Sequence, residues 1–407
     1  MPVRGTMSHG SMTVMADDVA AVVWDSALLD YDMGDHPLNP VRVELTMALA
    51  RELGVLDRPG VQMITPGQAS DLDLTRVHRA DYLDAVRLAP IDPFFTGWGL
   101  NTPDNPVFDD MHQASARICG ATLAAAQAVW HGTARRAVNV AGGLHHAMPA
   151  RAAGFCVYND PAVAIAWLLE NGAQRVAYID VDVHHGDGVQ AVFYDDPRVL
   201  TVSLHETPLA LFPGTGFADE IGGPKAEGTA VNVPLPPSTG DAGWLRAFHA
   251  IVPSVVRAFA PEIIVSQCGA DAHRLDPLAD LRLSVDGQRA AYVAMRALAD
   301  ELCDGRWVAT GGGGYALVEV VPRAWAHLLA VVTGDPLPPE TRIPQPWRKL
   351  AGSRRPGTTV PETMTDGTEP VVEPWPGTSE DAVDRAVLAT RTAVFPLYGL
   401  DPHDPRD

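Results

Sequence analysis

The chain is poor in positive charge. Thirty Lys and Arg stand against 50 Asp and Glu in 407 residues, a formal charge of −20. Phosphate contacts need clustered cations, so this deficit argues against direct nucleic-acid binding. Cysteine is scarce as well: Cys119, Cys156, Cys268 and Cys303 show no CxxC spacing and sit in mostly apolar surroundings. They are expected to be reduced residues of a cytoplasmic protein, with no disulfide framework. Long apolar runs are missing. The stretch Val19–Trp24 stops at Asp25 with no basic region before it, so a signal peptide is not expected. The longest uncharged helical stretch, from Ile118 to Ala134, is Ala-rich and carries Gln127 and His131, the signature of a packed helix and not a membrane span.

What remains is a globular composition, 46% hydrophobic and 20% charged, long enough for one large α/β domain or two ordinary ones. Residues 1–17 lack periodicity and are expected to be a disordered tail. A strand at Ala20–Trp24, a Gly- and Pro-punctuated loop at Tyr31–Pro40, and a helix from Val41 to Leu53 follow. A helical pair over 71–89 and an Ala-rich helix over 111–130 flank an irregular loop at 97–108 of the kind that rims binding sites. A rhythm then sets in. Apolar runs at 137–140, 176–182, 199–204, 263–266 and 307–310 each end in glycine, histidine or aspartate, with helices expected at 161–170, 244–259 and 285–302. Strands alternating with helices imply a three-layer α/β fold: a mostly parallel central sheet with helices on both faces. Ligands then bind beyond the carboxyl ends of the strands, where these polar residues gather. Residues 18–333 form the expected catalytic domain. Residues 334–407 hold 13 of the 35 prolines and are expected to be an appendage, on the surface or partly disordered, with one short helix near 379–392.

The densest cluster is Ile179-Asp180-Val181-Asp182-Val183-His184-His185-Gly186-Asp187-Gly188. Were the backbone extended as far as His184, Asp180, Asp182 and His184 would share one face. Capping of a following helix explains one such aspartate; it does not explain the whole cluster, whose acids repel unless a cation or histidines partner them. Asp182, His184 and, from another strand end, Asp271 suit a divalent ion with an open position. The oxygen-rich set does not select zinc over iron(II). His145 and His146, after a strand and two glycines, supply the acid and base that amide hydrolysis needs, with Asp180 and Asp187 as orienting carboxylates. Tyr315 follows Gly311–Gly314, which lack the Lys-Ser/Thr of a phosphate loop; a glycine hinge presenting an oxyanion donor and a tyrosine packed in the core are both open readings.

Taken together and in order, Gly-Asp-His-Pro (34–37), Asp-Asn-Pro-Val-Phe (104–108), Gly-Gly-Leu-His-His-Ala (142–147), Gly-Phe-Cys-Val-Tyr-Asn-Asp (154–160), Asp-Val-Asp-Val-His-His-Gly-Asp-Gly (180–188), Phe-Pro-Gly-Thr-Gly (212–216), Gly-Ala-Asp (269–271) and Gly-Gly-Gly-Gly-Tyr (311–315) resemble the class I histone deacetylase and acetoin-utilisation deacetylase family, of the arginase/deacetylase fold. The resemblance implies zinc on Asp182, His184 and Asp271, His146 backed by Asp187 as general base, and His145 backed by Asp180 as electrostatic or acid partner. It implies that Tyr315 stabilises the oxyanion and that Gly154, Phe155 and Phe212 line a tunnel for an acyl-lysine stem. Asp104 would bind substrate backbone at the rim, and Arg42 would lie near an inner cavity. A structural potassium ion would use Asp180, Asp182, His184, Ser203 and Leu204.

Two departures stand out: the inserted Asp35, and the bulky, basic His273-Arg274, expected near the mouth. The implied activity is hydrolysis of Nε-acetyl-lysine on proteins or peptides. An acetylpolyamine deacetylase, a binuclear ureohydrolase hinted at by Asp271-Ala272-His273, and a non-catalytic acyl-lysine binder are the alternatives. Nothing in the sequence bears on oligomeric state.

Overall fold

A computed structural model describes residues 19–407 apart from 93 and 380. The tail expected at 1–17 lies outside the described residues. One eight-stranded sheet runs through the molecule, and every neighbouring pair in it is parallel. Its strands are β1 (Ala20–Val23), β2 (Val61–Ile64), β3 (Arg136–Asn139), β4 (Val176–Asp180), β5 (Val199–Glu206), β6 (Ala230–Leu235), β7 (Ile263–Gln267) and β8 (Trp307–Thr310), in the order β2-β1-β3-β8-β7-β4-β5-β6. Helices lie on both faces, as the alternating pattern requires of a sheet whose strands are buried on each side. The central strands β3, β8, β7 and β4 are buried throughout.

The register explains where the site forms. Asn139, Thr310, Gln267, Asp180 and Ser203 are successive partners across β3, β8, β7, β4 and β5, a polar row along one sheet edge. Four adjacent strands, β3, β8, β7 and β4, therefore deliver their loops to one place.

Two differences from the sequence pattern have simple causes. β4 ends at Asp180, so Asp182 and His184 are set by a bend and not by strand alternation. The Asp180 carboxylate causes this by accepting the Asp182 amide (3.1 Å), and Asp182 in turn accepts the His184 amide (3.0 Å). The edge strands β2 and β6 were not legible: β2 is half exposed without alternation, and β6 contains Pro234, which only an edge strand tolerates.

Among the described residues, 334–407 contain two α-helices where the pattern indicated one: Gln345–Arg354, hidden behind Pro344 and Pro346, and Ala382–Val394. They pack on the body through the Trp347 indole donating to Leu45 O (2.8 Å), the Thr390 hydroxyl donating to Asn232 O (2.6 Å) and the fully buried Phe395.

Candidate active site

The loop after β3 is held rigidly. Asp160, first residue of the helix Asp160–Glu170, accepts the amides of Gly143 (3.0 Å) and Leu144 (2.8 Å), and Asn159 donates to the carbonyls of His145 and Ala147 (3.0 Å each). This presents His145 and His146 with their Nε2 atoms 3.1 Å apart. Behind them, His145 Nδ1 meets Asp180 Oδ2 at 2.7 Å and His146 Nδ1 meets Asp187 Oδ1 at 2.6 Å. The Tyr178 hydroxyl donates to the same Asp180 oxygen (2.6 Å). Electrostatically the two rings part company. Burial would depress His145, but Asp180 and Asp182 outweigh it and lift the ring to about 9. Burial and the neighbouring His145 push His146 down to about 4 against the pull of Asp187. The carboxylates thus favour the protonated form of His145, and burial favours the neutral form of His146.

Beside them, Asp182, His184 and Asp271 converge, with ligand atoms within 4.8 Å of one another, and all three are buried. His184 Nδ1 lies 3.1 Å from Asp182 and 3.2 Å from Asp271. Burial opposes charge on His184, yet the two carboxylates beside it raise it to about 10. Burial and Asp182 raise Asp271 to about 6. The donor set therefore fits a divalent cation: two carboxylates and an imidazole, fixed from behind. Gln267 donates to Asp182 Oδ2 (2.5 Å), the Gly313 amide to the same oxygen (2.8 Å), and the Val183 amide to Asp271 Oδ1 (3.0 Å). Among the described residues this is the only such group of three.

The profile of the histone deacetylase domain matches residues 36–332. The acetoin utilization protein AcuC of Bacillus subtilis (strain 168) is 44% identical over 317 residues, covering 77% of this chain and 81% of that protein. AcuC of Staphylococcus xylosus is 40% identical over 330 residues, 80% of this chain and 85% of its own. The chain belongs to the histone deacetylase family. Among solved structures, an HDAC homologue from Aquifex aeolicus superposes with a TM-score of 0.76 at 30% identity, covering 91% of this chain and 99% of that one. An HDAC homologue complexed with SAHA gives 0.77 at the same identity and coverage. The expected arginase/deacetylase-like architecture is thereby established, together with a deacetylase of a metal-dependent family that carries a candidate metal site.

In this deacetylase a cavity of about 330 Å³ opens over the site, lined by Asp104, His146, Phe155, His184, Phe212 and Tyr315 among others. The Phe155 ring meets Tyr315 edge-on at 5.7 Å, and the Phe212 ring meets His146 at 5.0 Å. Gly154 has φ +50°, and a Cβ there would lie 2.4 Å from His146 Cδ2, so no other residue fits beneath that ring. A wider groove of about 770 Å³ adjoins and shares Asp104, Gly154 and Phe212. Burial and the Asp271 and Asp182 charges raise the Tyr315 phenol well above its ordinary value, so it keeps its proton. Arg42 is buried, donates to Gly312 O (2.7 Å) and Gly314 O (3.2 Å), and borders a small inner space with Tyr31 and Leu144. Ser203 lies beside Asp180 in the register and its hydroxyl pairs with His205 Nδ1 (2.8 Å); Leu204 is buried in β5.

Three expectations need correcting. Gly311–Gly314 is no open hinge: it is buried, and a Cβ on Gly313 would lie 1.9 Å from Asp271, so glycine is required for backbone to reach the carboxylates. His273 is not at the mouth. It is fully buried with Nε2 2.7 Å from Asp366, which also removes it as a second-metal ligand of a ureohydrolase. Residues 334–407 thus contribute a side chain behind the site. Gln267, Tyr178, Asp160 and Asp276, which accepts the Tyr315 amide at 2.8 Å, were not singled out from the sequence. Gln267 and Tyr178 sit in apolar strand runs, where only the register shows what they face.

Proposed function

We propose that this protein removes acetyl groups from Nε-acetyl-lysine side chains of proteins or peptides, releasing acetate and the free amine. The observation that carries the reading is geometric: His145 and His146, Nε2 to Nε2 at 3.1 Å and each backed by its own carboxylate, stand beside the Asp182, His184 and Asp271 cluster, with His146 lining an aromatic-walled cavity. Asp182, His184 and Asp271 would hold zinc, or iron(II), which supplies Lewis-acid polarisation of the amide carbonyl and acidifies water when bound. His146, neutral and backed by Asp187, takes a proton from the attacking water. His145, cationic and backed by Asp180, balances the charge that builds during attack and supplies the acid side of the pair. The protonated Tyr315 hydroxyl donates to the oxyanion. Phe155 and Phe212 flank the lysine stem, whose methylenes suit aromatic walls, with Gly154 leaving room between them. Asp104 accepts hydrogen bonds from the substrate backbone at the rim.

The potassium site implied by the resemblance would draw on Asp180, Asp182, His184, Ser203 and Leu204; the adjacency of Asp180 and Ser203 supports a shared neighbourhood there. Four buried free thiols support a reducing, cytoplasmic setting. No described helix is long and apolar enough to cross a membrane. The test is competition between an acetyl-lysine peptide and N-acetylputrescine on the metal-loaded protein. Higher kcat/KM on the peptide is expected. Preference for acetylputrescine would make the protein an acetylpolyamine deacetylase, and turnover of neither would overturn the reading.

A further inference from the structure

The segment beyond residue 332 lies outside the matched family profile, yet it supplies a carboxylate to the loop after β7 and to the helix that follows Tyr315. Asp366 Oδ2 accepts from His273 Nε2 (2.7 Å) and from the Val285 amide (3.0 Å), while Oδ1 accepts from Arg323 Nη2 (2.8 Å). Each partner leads inward. His273 stands two residues after Asp271 and accepts the Leu275 amide on Nδ1 (3.1 Å), so both ring nitrogens are committed and the tautomer is fixed. The His273 carbonyl accepts the Asp276 amide (2.9 Å), and the Asp276 carboxylate accepts the Tyr315 amide. Arg323 belongs to the helix Val321–Val332 that follows the Tyr315 loop, and it also donates to Glu319 O (2.7 Å) and Thr365 O (3.0 Å). Asp366 is itself anchored, its amide donating to the buried Asp286 (2.9 Å).

We infer that Asp366 is a positioning residue for deacetylation, clamping the loop that carries Asp271 and Asp276 to the helix that follows Tyr315. The inference rests on the roles proposed above for Asp271 and Tyr315. A carboxylate is needed because its two oxygens receive donors from two directions at once. Asparagine keeps the shape but turns one acceptor into a donor, facing either Arg323 or His273, so one side of the clamp opens. The loop that carries Asp271 and Asp276 can then shift against the helix after Tyr315, and a misplacement of reacting groups by about 1 Å costs on the order of a hundredfold.

The test compares wild type, Asp366→Asn and Thr390→Val as full chains. Thr390→Val removes a buried hydrogen bond of the same C-terminal segment, to Asn232 O, and serves as the control for simple loosening. On an acetyl-lysine peptide, Asp366→Asn is expected to lower kcat roughly tenfold or more with KM little changed. Thr390→Val should lower the melting temperature with kcat retained. In the metal-stripped protein, hydrogen exchange should quicken at 272–285 and at Tyr315 in Asp366→Asn alone. Wild-type kcat with unchanged exchange in Asp366→Asn, or an equal kcat loss in Thr390→Val, overturns the inference. Should wild type leave acetyl-lysine untouched, the proposed function fails, and the exchange comparison still decides whether Asp366 clamps the loops. If Asp366→Asn does not fold, Arg323→Lys, which keeps the charge and loses the fork, is read by the same criteria.

Discussion

His145 and His146 face each other through Nε2 at 3.1 Å while their Nδ1 atoms rest on different carboxylates, Asp180 and Asp187. Chain neighbours with near-identical burial are thus pushed in opposite directions. Asp180 lies with Asp182 on the His145 side and lifts that ring, and the resulting charge pushes His146 down. Asp187→Asn should therefore weaken His146 as a base and free its tautomer. A kcat loss of at least about tenfold is expected, with KM and metal content retained. Steady-state kinetics beside metal analysis check this; unchanged kcat would take His146 out of the base role.

Tyr315→Phe removes the hydroxyl and keeps the ring that meets Phe155. Activity should fall on the order of a hundredfold or more, with metal content intact, as for loss of one oxyanion donor. Unchanged turnover would return Tyr315 to a packing role.

Gly154→Ala tests how tightly the floor of the cavity is built. The new methyl would press on the His146 ring at a position whose φ of +50° already disfavours a side chain. Turnover should drop while metal binding, carried by other residues, persists. A fully active variant would mean that the His146 ring has freedom to shift.

Stability should fall in mild acid for reasons separate from catalysis. His78 donates through Nδ1 to Met148 O (3.1 Å) and accepts the Asn159 amide on Nε2 (2.9 Å), so it must be neutral to keep both bonds. Burial lowers His78 and likewise His327 to about 4, from 6.5 when unfolded. The unfolded chain thus binds more protons between these values, and stability declines as pH drops from about 6.5, levelling off near 4. At pH 5 His78 alone should cost about 2 kcal/mol relative to pH 7.5. Denaturant midpoints at the two pH values measure the sum over both histidines, and His78→Gln should shrink the difference by about half, leaving the His327 share.

The central strands and the ends they serve were legible because buried parallel strands read as apolar runs, and runs ending repeatedly in Asp, His or Gly point to one edge. The edges of the sheet were not, since Pro234 and the half-exposed Val61–Ile64 carry no such signal. Of the site, the motif residues Asp182, His184, Asp271, His145 and His146 do converge. Their supports escaped notice because support is a property of register and of distant chain. Gln267 is the fifth residue of a buried strand until the sheet sets it beside Asp180. Asp366 lies among prolines and threonines, and only the folded chain brings it to His273, 93 residues away.

The central claim is that Asp182, His184 and Asp271 grip one ion on which hydrolysis depends. It is tested most directly by titrating metal-stripped protein with zinc or iron(II) while following bound metal and acetyl-lysine turnover together. Turnover should rise from near zero in step with occupancy of a single tight site, and Asp271→Ala should fold yet show neither. Full activity in the stripped protein, or tight metal retention by Asp271→Ala, would contradict the account.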